Sequence, residues 1–71
     1  MLSMVSVESA NVDAIGYNPL TLELYVQFLK TGSTYVFQPV EESRYQEFLK
    51  ADSKGEYLSH EVETHYECEK F

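Results

Sequence analysis

Cys68, His60 and His65 are the residues that could supply a nucleophile and its base. Cys68 lies in the run Glu67-Cys68-Glu69. Two carboxylates flank its sulfur, the reverse of the electropositive setting that a reactive thiolate needs. The sequence carries no Ser or Cys elbow, no glycine-rich phosphate loop and no metalloprotease motif. Catalysis is therefore not expected. Glu61, His65 and Cys68 stand at i, i+4 and i+7, the spacing of one helix face, and all three side-chain types ligate zinc. Spacing alone is weak evidence without supporting partners, so a polar face with a Glu61–His65 pair is the favoured reading and no metal is expected.

Anion recognition is the stronger possibility. The basic residues are Lys30, Arg44, Lys50, Lys54 and Lys70. Arg44 offers a planar fork that suits a phosphate. Lys54 sits in Ser53-Lys54-Gly55, where a hydroxyl, an ammonium and open backbone N–H groups could meet an anion. Six tyrosines and four phenylalanines exceed what a core of this size requires. Tyr17, Tyr57 or another exposed ring could stack on a base. The candidate ligand-binding set is thus Arg44, Lys54, Ser53, Tyr17 and Tyr57.

The net charge of −7 restricts the ligand. Affinity for long nucleic acid comes from many Lys and Arg side chains on phosphates, so a long RNA or DNA partner is disfavoured. A small nucleotide needs only a couple of cations and a stacked ring. The lone cysteine forms no disulfide within the chain and suits a reducing cytoplasm. The N-terminal stretch has neither a basic region nor a long apolar run, so neither a signal peptide nor a membrane span is expected.

The elements that would position these residues centre on Leu22 to Leu49. Leu22, Leu24, Val26 and Phe28 alternate with Glu23, Tyr25, Gln27 and Leu29, the period of a strand with one apolar face. By that alternation Tyr25 points away from the core. Lys30-Thr31-Gly32-Ser33 makes a hairpin turn, with Gly32 free to take positive φ. A second strand carries Tyr35 and Phe37 on one face and ends before Pro39, which has no N–H for a ladder. From Glu41 the spacing becomes helical: Tyr45, Phe48 and Leu49 can lie on the sheet, and Lys50 closes the last turn.

Upstream, Val5 to Ile15 reads as one strand interrupted at Ser9-Ala10-Asn11, and Tyr17-Asn18-Pro19 as a turn. Downstream, Gly55 reads as the left-handed residue that terminates the main helix. A short second helix is expected from His60 to about Tyr66, with Ser59 as its N-cap, and the tail from Glu67 to Phe71 is expected to fray. The expectation is one α+β domain over residues 1–71: a three-stranded antiparallel meander packed by one main helix, with a short C-terminal helix. Such a chain buries only about 60% of its unfolded surface, which favours a homo-oligomer, dimer or tetramer.

From about Val7 to Tyr66 the chain resembles the KTSC domain, found after some lysyl-tRNA synthetases and as free-standing bacterial and phage proteins. The resemblance is carried by Asp13-Ala14-Ile15-Gly16-Tyr17, by Leu22, Val26, Phe28 and Gly32, and by the aromatic-x-aromatic run Tyr35-Val36-Phe37. It continues through Val40, Tyr45 and Leu49 into Ala51-Asp52-Ser53-Lys54-Gly55-Glu56-Tyr57, then Val62 and Tyr66. Phe37 stands where tyrosine is usual, and Glu41 where proline often follows the valine. The resemblance implies no catalytic activity and no cofactor. RNA binding has been suggested for the family, and some small phage proteins of similar type are thought to be sponges for cyclic nucleotide defence signals. Combined with the charge argument, the expected function is that of a non-catalytic sponge, an oligomer that sequesters cyclic (di)nucleotide defence signals in the cytoplasm, the host's if the protein is phage-encoded; the alternatives are an RNA-binding accessory module or a purely structural interaction domain. Arg44 and Lys54 are about ten residues apart, roughly 15 Å on one continuous helix, so two subunits would have to share one phosphate.

Overall fold

Alternation of Leu24 and Val26 with Tyr25 and Gln27 builds the middle of an antiparallel sheet, and the rest of the chain adds to its two edges. The computed structural model describes residues 4–7 and 11–71. The strands are β1 (Val5–Ser6), β2 (Val12–Asn18), β3 (Glu23–Phe28), β4 (Thr34–Gln38) and β5 (Glu67–Lys70), in spatial order β1-β2-β3-β4-β5. All four pairings are antiparallel. Between β4 and β5 lie α1 (Glu42–Lys50) and α2 (Lys54–Tyr57), which runs on into a π-helical turn, Leu58–Val62.

The α+β class is as expected, but the sheet has five strands rather than three. The first expected strand is two strands, with Val5 opposite Ile15; Ser9 and Ala10 lie outside the described residues. The bulge falls between Val12 and Ala14, so Asp13 is the extra residue. That bulge lets Val12 and Ile15, three apart, both reach the core, where each is fully buried. The tail does not fray: Glu67 to Lys70 pair with β4, and Phe71 N–H donates to Thr34 O at 2.7 Å. β5 satisfies the open edge of β4, which would otherwise expose a row of backbone donors and acceptors.

The register defines two faces. Ile15, Val26, Tyr35 and Lys70 form one row across the sheet, and Tyr17, Leu24, Phe37 and Cys68 the next. These rows face the helices. Phe48 of α1 and Leu58 and Val62 of the π turn close over them, all at most 1% exposed. Tyr45 and Leu49 pack beside Phe48, as the helical spacing predicts. On the helix-free face Gly16, Tyr25 and Val36 are aligned, and Tyr25 meets Phe71 edge-on at 5.3 Å. Tyr25 thus leaves the core as expected.

The punctuation agrees in part. Gly32 has φ +70° in the hairpin, and Pro39, after a cis Gln38–Pro39 peptide, follows the end of β4. Gly55 does not terminate α1. The helix ends at Lys50 with Ala51 extended, and Gly55 has no left-handed φ. It lies instead in the first turn of α2. Ser53, rather than Ser59, is the N-cap there: its Oγ accepts from Glu56 N–H at 3.3 Å. The short helix therefore starts at Lys54 rather than His60, six residues earlier than the sequence reading placed it.

Candidate functional site

Arg44 stands half-buried on α1, its side chain 27% exposed, and pairs with Glu61 at 3.5 Å. The Tyr57 and Tyr66 phenols near its guanidinium hold it firmly in the charged form. Each phenol also meets a carboxylate. Tyr57 donates to Glu47 at 2.9 Å, and Tyr66 donates to Glu41 at 2.7 Å. The bond from Tyr66 holds the Glu41 carboxyl below its usual range. Burial, the largest cause, raises the phenol pKa of both tyrosines. The outcome is a polar cluster around Arg44, with Glu61, Tyr57, Tyr66, Glu47 and Glu41, that ties α1 to the segment after it.

Of the five candidate residues, the structure brings Arg44 and Tyr57 together in this network and leaves the others apart. Lys54 Nζ donates to Ala51 O at 2.7 Å. Ser53 caps α2. Tyr17 stacks on Tyr45 at 4.6 Å between ring centroids, and its hydroxyl donates to Val40 O. Tyr57 also stacks on Phe48 at 5.6 Å. Because α1 ends before α2 begins, Arg44 and Lys54 share no continuous helix, and the 15 Å estimate for them does not apply. Glu61, His65 and Cys68 do not share a helix face either. His65 Nε2 lies 3.7 Å from Glu61, while Cys68 is on β5 opposite Phe37.

Arg44→Ala leaves Glu61 and two phenols without their cation. The sequence suggested an exposed arginine whose loss costs no more than about 0.5 kcal/mol. The network raises that expectation to about 1–2 kcal/mol, after discounting for solvent screening of a side chain more than a quarter exposed. A urea midpoint within error of the parent would show that these bonds add nothing net.

A groove that the sequence reading did not identify runs along β4, between the sheet and α2. Its volume is about 440 Å³, within the range of small-molecule sites. Phe28, Tyr35 and Phe37 form its floor, with Phe28 edge-on to Tyr35 at 5.5 Å. Gly55, Leu58, Ser59 and Glu63 form the helical wall. This wall is the π turn: Glu63 N–H reaches back to Leu58 O at 2.8 Å. Such widened turns recur at functional sites. A Cβ on Gly55 would come within 2.8 Å of Asn11 Nδ2, so glycine lets Asn11 lie close against the helix at one end. Lys30 and Thr31 of the hairpin stand at that same end, and Cys68 is in the wall at the other. The alternation of Phe28, Tyr35 and Phe37 was legible, but whether their rings are covered depends on where α2 crosses the sheet.

Five antiparallel strands carrying two helices on one face, with an aromatic groove beneath the second, make a small α+β domain. No helix among the described residues is long and apolar enough to cross a membrane. The KTSC domain family model matches residues 8–66, and the chain belongs to that family. It is similar over its whole length to the crystal structure of a KTSC domain protein from Yersinia pestis, with 31% identity and a TM-score of 0.94, covering 99% of that chain. No curated protein matches.

Proposed function

We propose that this domain is a non-catalytic binding protein that holds a small nucleotide in the groove along β4. The observation that carries this reading is an aromatic floor of Phe28, Tyr35 and Phe37 beside a single lysine, Lys30, in a space of about 440 Å³. A base has a π-face that suits the rings, and its phosphate suits the ammonium. Neither His60 nor His65 lines the groove, so the imidazoles that could act as a base stand elsewhere. The protein then acts by sequestering its ligand, in a cytoplasm that keeps Cys68 reduced. Long RNA is a poorer partner: Arg44 is engaged with Glu61, Lys54 with Ala51 O, and the chain's net charge is −7.

Titration of the labelled protein with mononucleotides and cyclic dinucleotides, followed by amide and aromatic NMR shifts, tests the reading. Saturable shifts at Tyr35, Leu58 and Lys30 are expected, with affinity about tenfold weaker in Lys30→Ala, the loss of one charge-assisted contact. Lys30 is exposed, so that variant keeps its fold. Absence of saturable shifts at millimolar nucleotide would overturn the proposal.

A further inference from the structure

The two ends of the groove differ in charge, and the strand register shows how. β4 runs from the hairpin toward Gln38, so Phe28 and Lys30 lie at one end and Phe37 at the other. Lys30 thus marks the hairpin end of the groove. α2 crosses in the sense fixed by its contacts. Gly55 lies against Asn11, whose carbonyl accepts from Leu29 N–H at the hairpin. The helix then leads to Glu67, opposite Gln38 at the far end. Glu63, four residues before β5 begins, lines the groove on the stretch that leads to that far end.

We propose that the groove orients its ligand, with an anionic group at Lys30 and an amino-bearing ring edge at Glu63. This rests on the nucleotide reading and narrows it to a class: a nucleoside monophosphate whose base carries an exocyclic amine. Glu63 is acceptor-only when ionised, so it bonds a donor edge and repels a carbonyl at the same place. Ser59 is on the same wall and adapts to either, which leaves Glu63 as the discriminating group. The Lys30 ammonium suits the anionic end of a phosphomonoester. A site built to bond a donor rejects an analogue that lacks it more strongly than an apolar pocket rejects a change of size.

Calorimetry with three probes on the intact protein separates the ends: AMP, IMP and adenosine. IMP replaces the amine by a carbonyl, and adenosine lacks the phosphate. AMP is expected to bind at least about tenfold tighter than either. Glu63→Gln supplies a donor as well as an acceptor and should shrink the AMP/IMP gap below about threefold. Lys30→Ala should weaken AMP while leaving adenosine unchanged. Both positions are exposed, and circular dichroism checks that each variant folds. Equal binding of AMP and IMP by the parent, or a gap that survives Glu63→Gln, would overturn the orientation and leave the nucleotide reading standing. If none of the three binds, both fall.

Discussion

Phe48→Ala is expected to cost about 3–5 kcal/mol, the range for deleting a buried phenylalanine. Phe48 is fully buried at the centre of the core, and Tyr57 stacks on it from the next helix. Deletion leaves a cavity between α1, α2 and the sheet, and it also frees the ring that holds Tyr57 in the Arg44 network. A domain of this length has a total stability of roughly 4–11 kcal/mol. The variant should therefore be largely unfolded at moderate urea, with its midpoint far below the parent's. Leu49, next along the helix but only partly buried, should cost much less when cut to alanine. Equal losses at the two positions would mean that Phe48 is not the keystone of the helix–sheet contact.

Alkaline unfolding should be steep and should begin near pH 10. Burial raises the phenol pKa of Tyr17, Tyr45, Tyr57 and Tyr66, and Tyr25 is raised too. A phenol whose pKa is raised in the folded state keeps its proton when the unfolded chain, titrating near 10.0, has lost it. The folded state then binds more protons than the unfolded one, so stability falls as pH rises through this window and is fully present below it. The contribution of each tyrosine is reduced by solvent screening, since all are partly exposed, but several act over the same interval. Urea midpoints at pH 9 and pH 11 should differ clearly, with the phenolate absorbance rising at the unfolding transition rather than ahead of it. A midpoint constant over that range would contradict the burial of these phenols.

The parts that were legible in the sequence are those with an apolar period. β3, β4 and α1 each bury one side, and Leu24, Val26, Phe37 and Phe48 announce it by spacing alone. β5 has no such period. Glu67 to Lys70 are all exposed, and they form a strand because β4 offers an unpaired edge, a fact of tertiary structure. The start of α2 is a different case. Ser53 and Glu56 stand at the spacing of a capping box, which the sequence does contain. Gly55 between them resembles a helix terminator, and its real use, close approach to Asn11, depends on a residue far away in the chain. The candidate anion ligands were chosen by residue type. Type does not tell whether a cation already has a partner, and Arg44 and Lys54 both have one. The groove was hidden for the same reason as β5: it exists between elements, not within one.

Cys68 is exposed, and it is the sole cysteine in the chain. Because it forms part of the groove wall beside Phe37, the protein carries a built-in attachment point at the groove proposed as its binding site. A fluorophore coupled there would sense the groove without any engineered residue. A library of disulfide-forming fragments would be selected by the floor and the helical wall rather than by the thiol, since every captured fragment reacts at the same sulfur. The domain can thus be asked directly which ring shapes it prefers, before any natural ligand has been isolated.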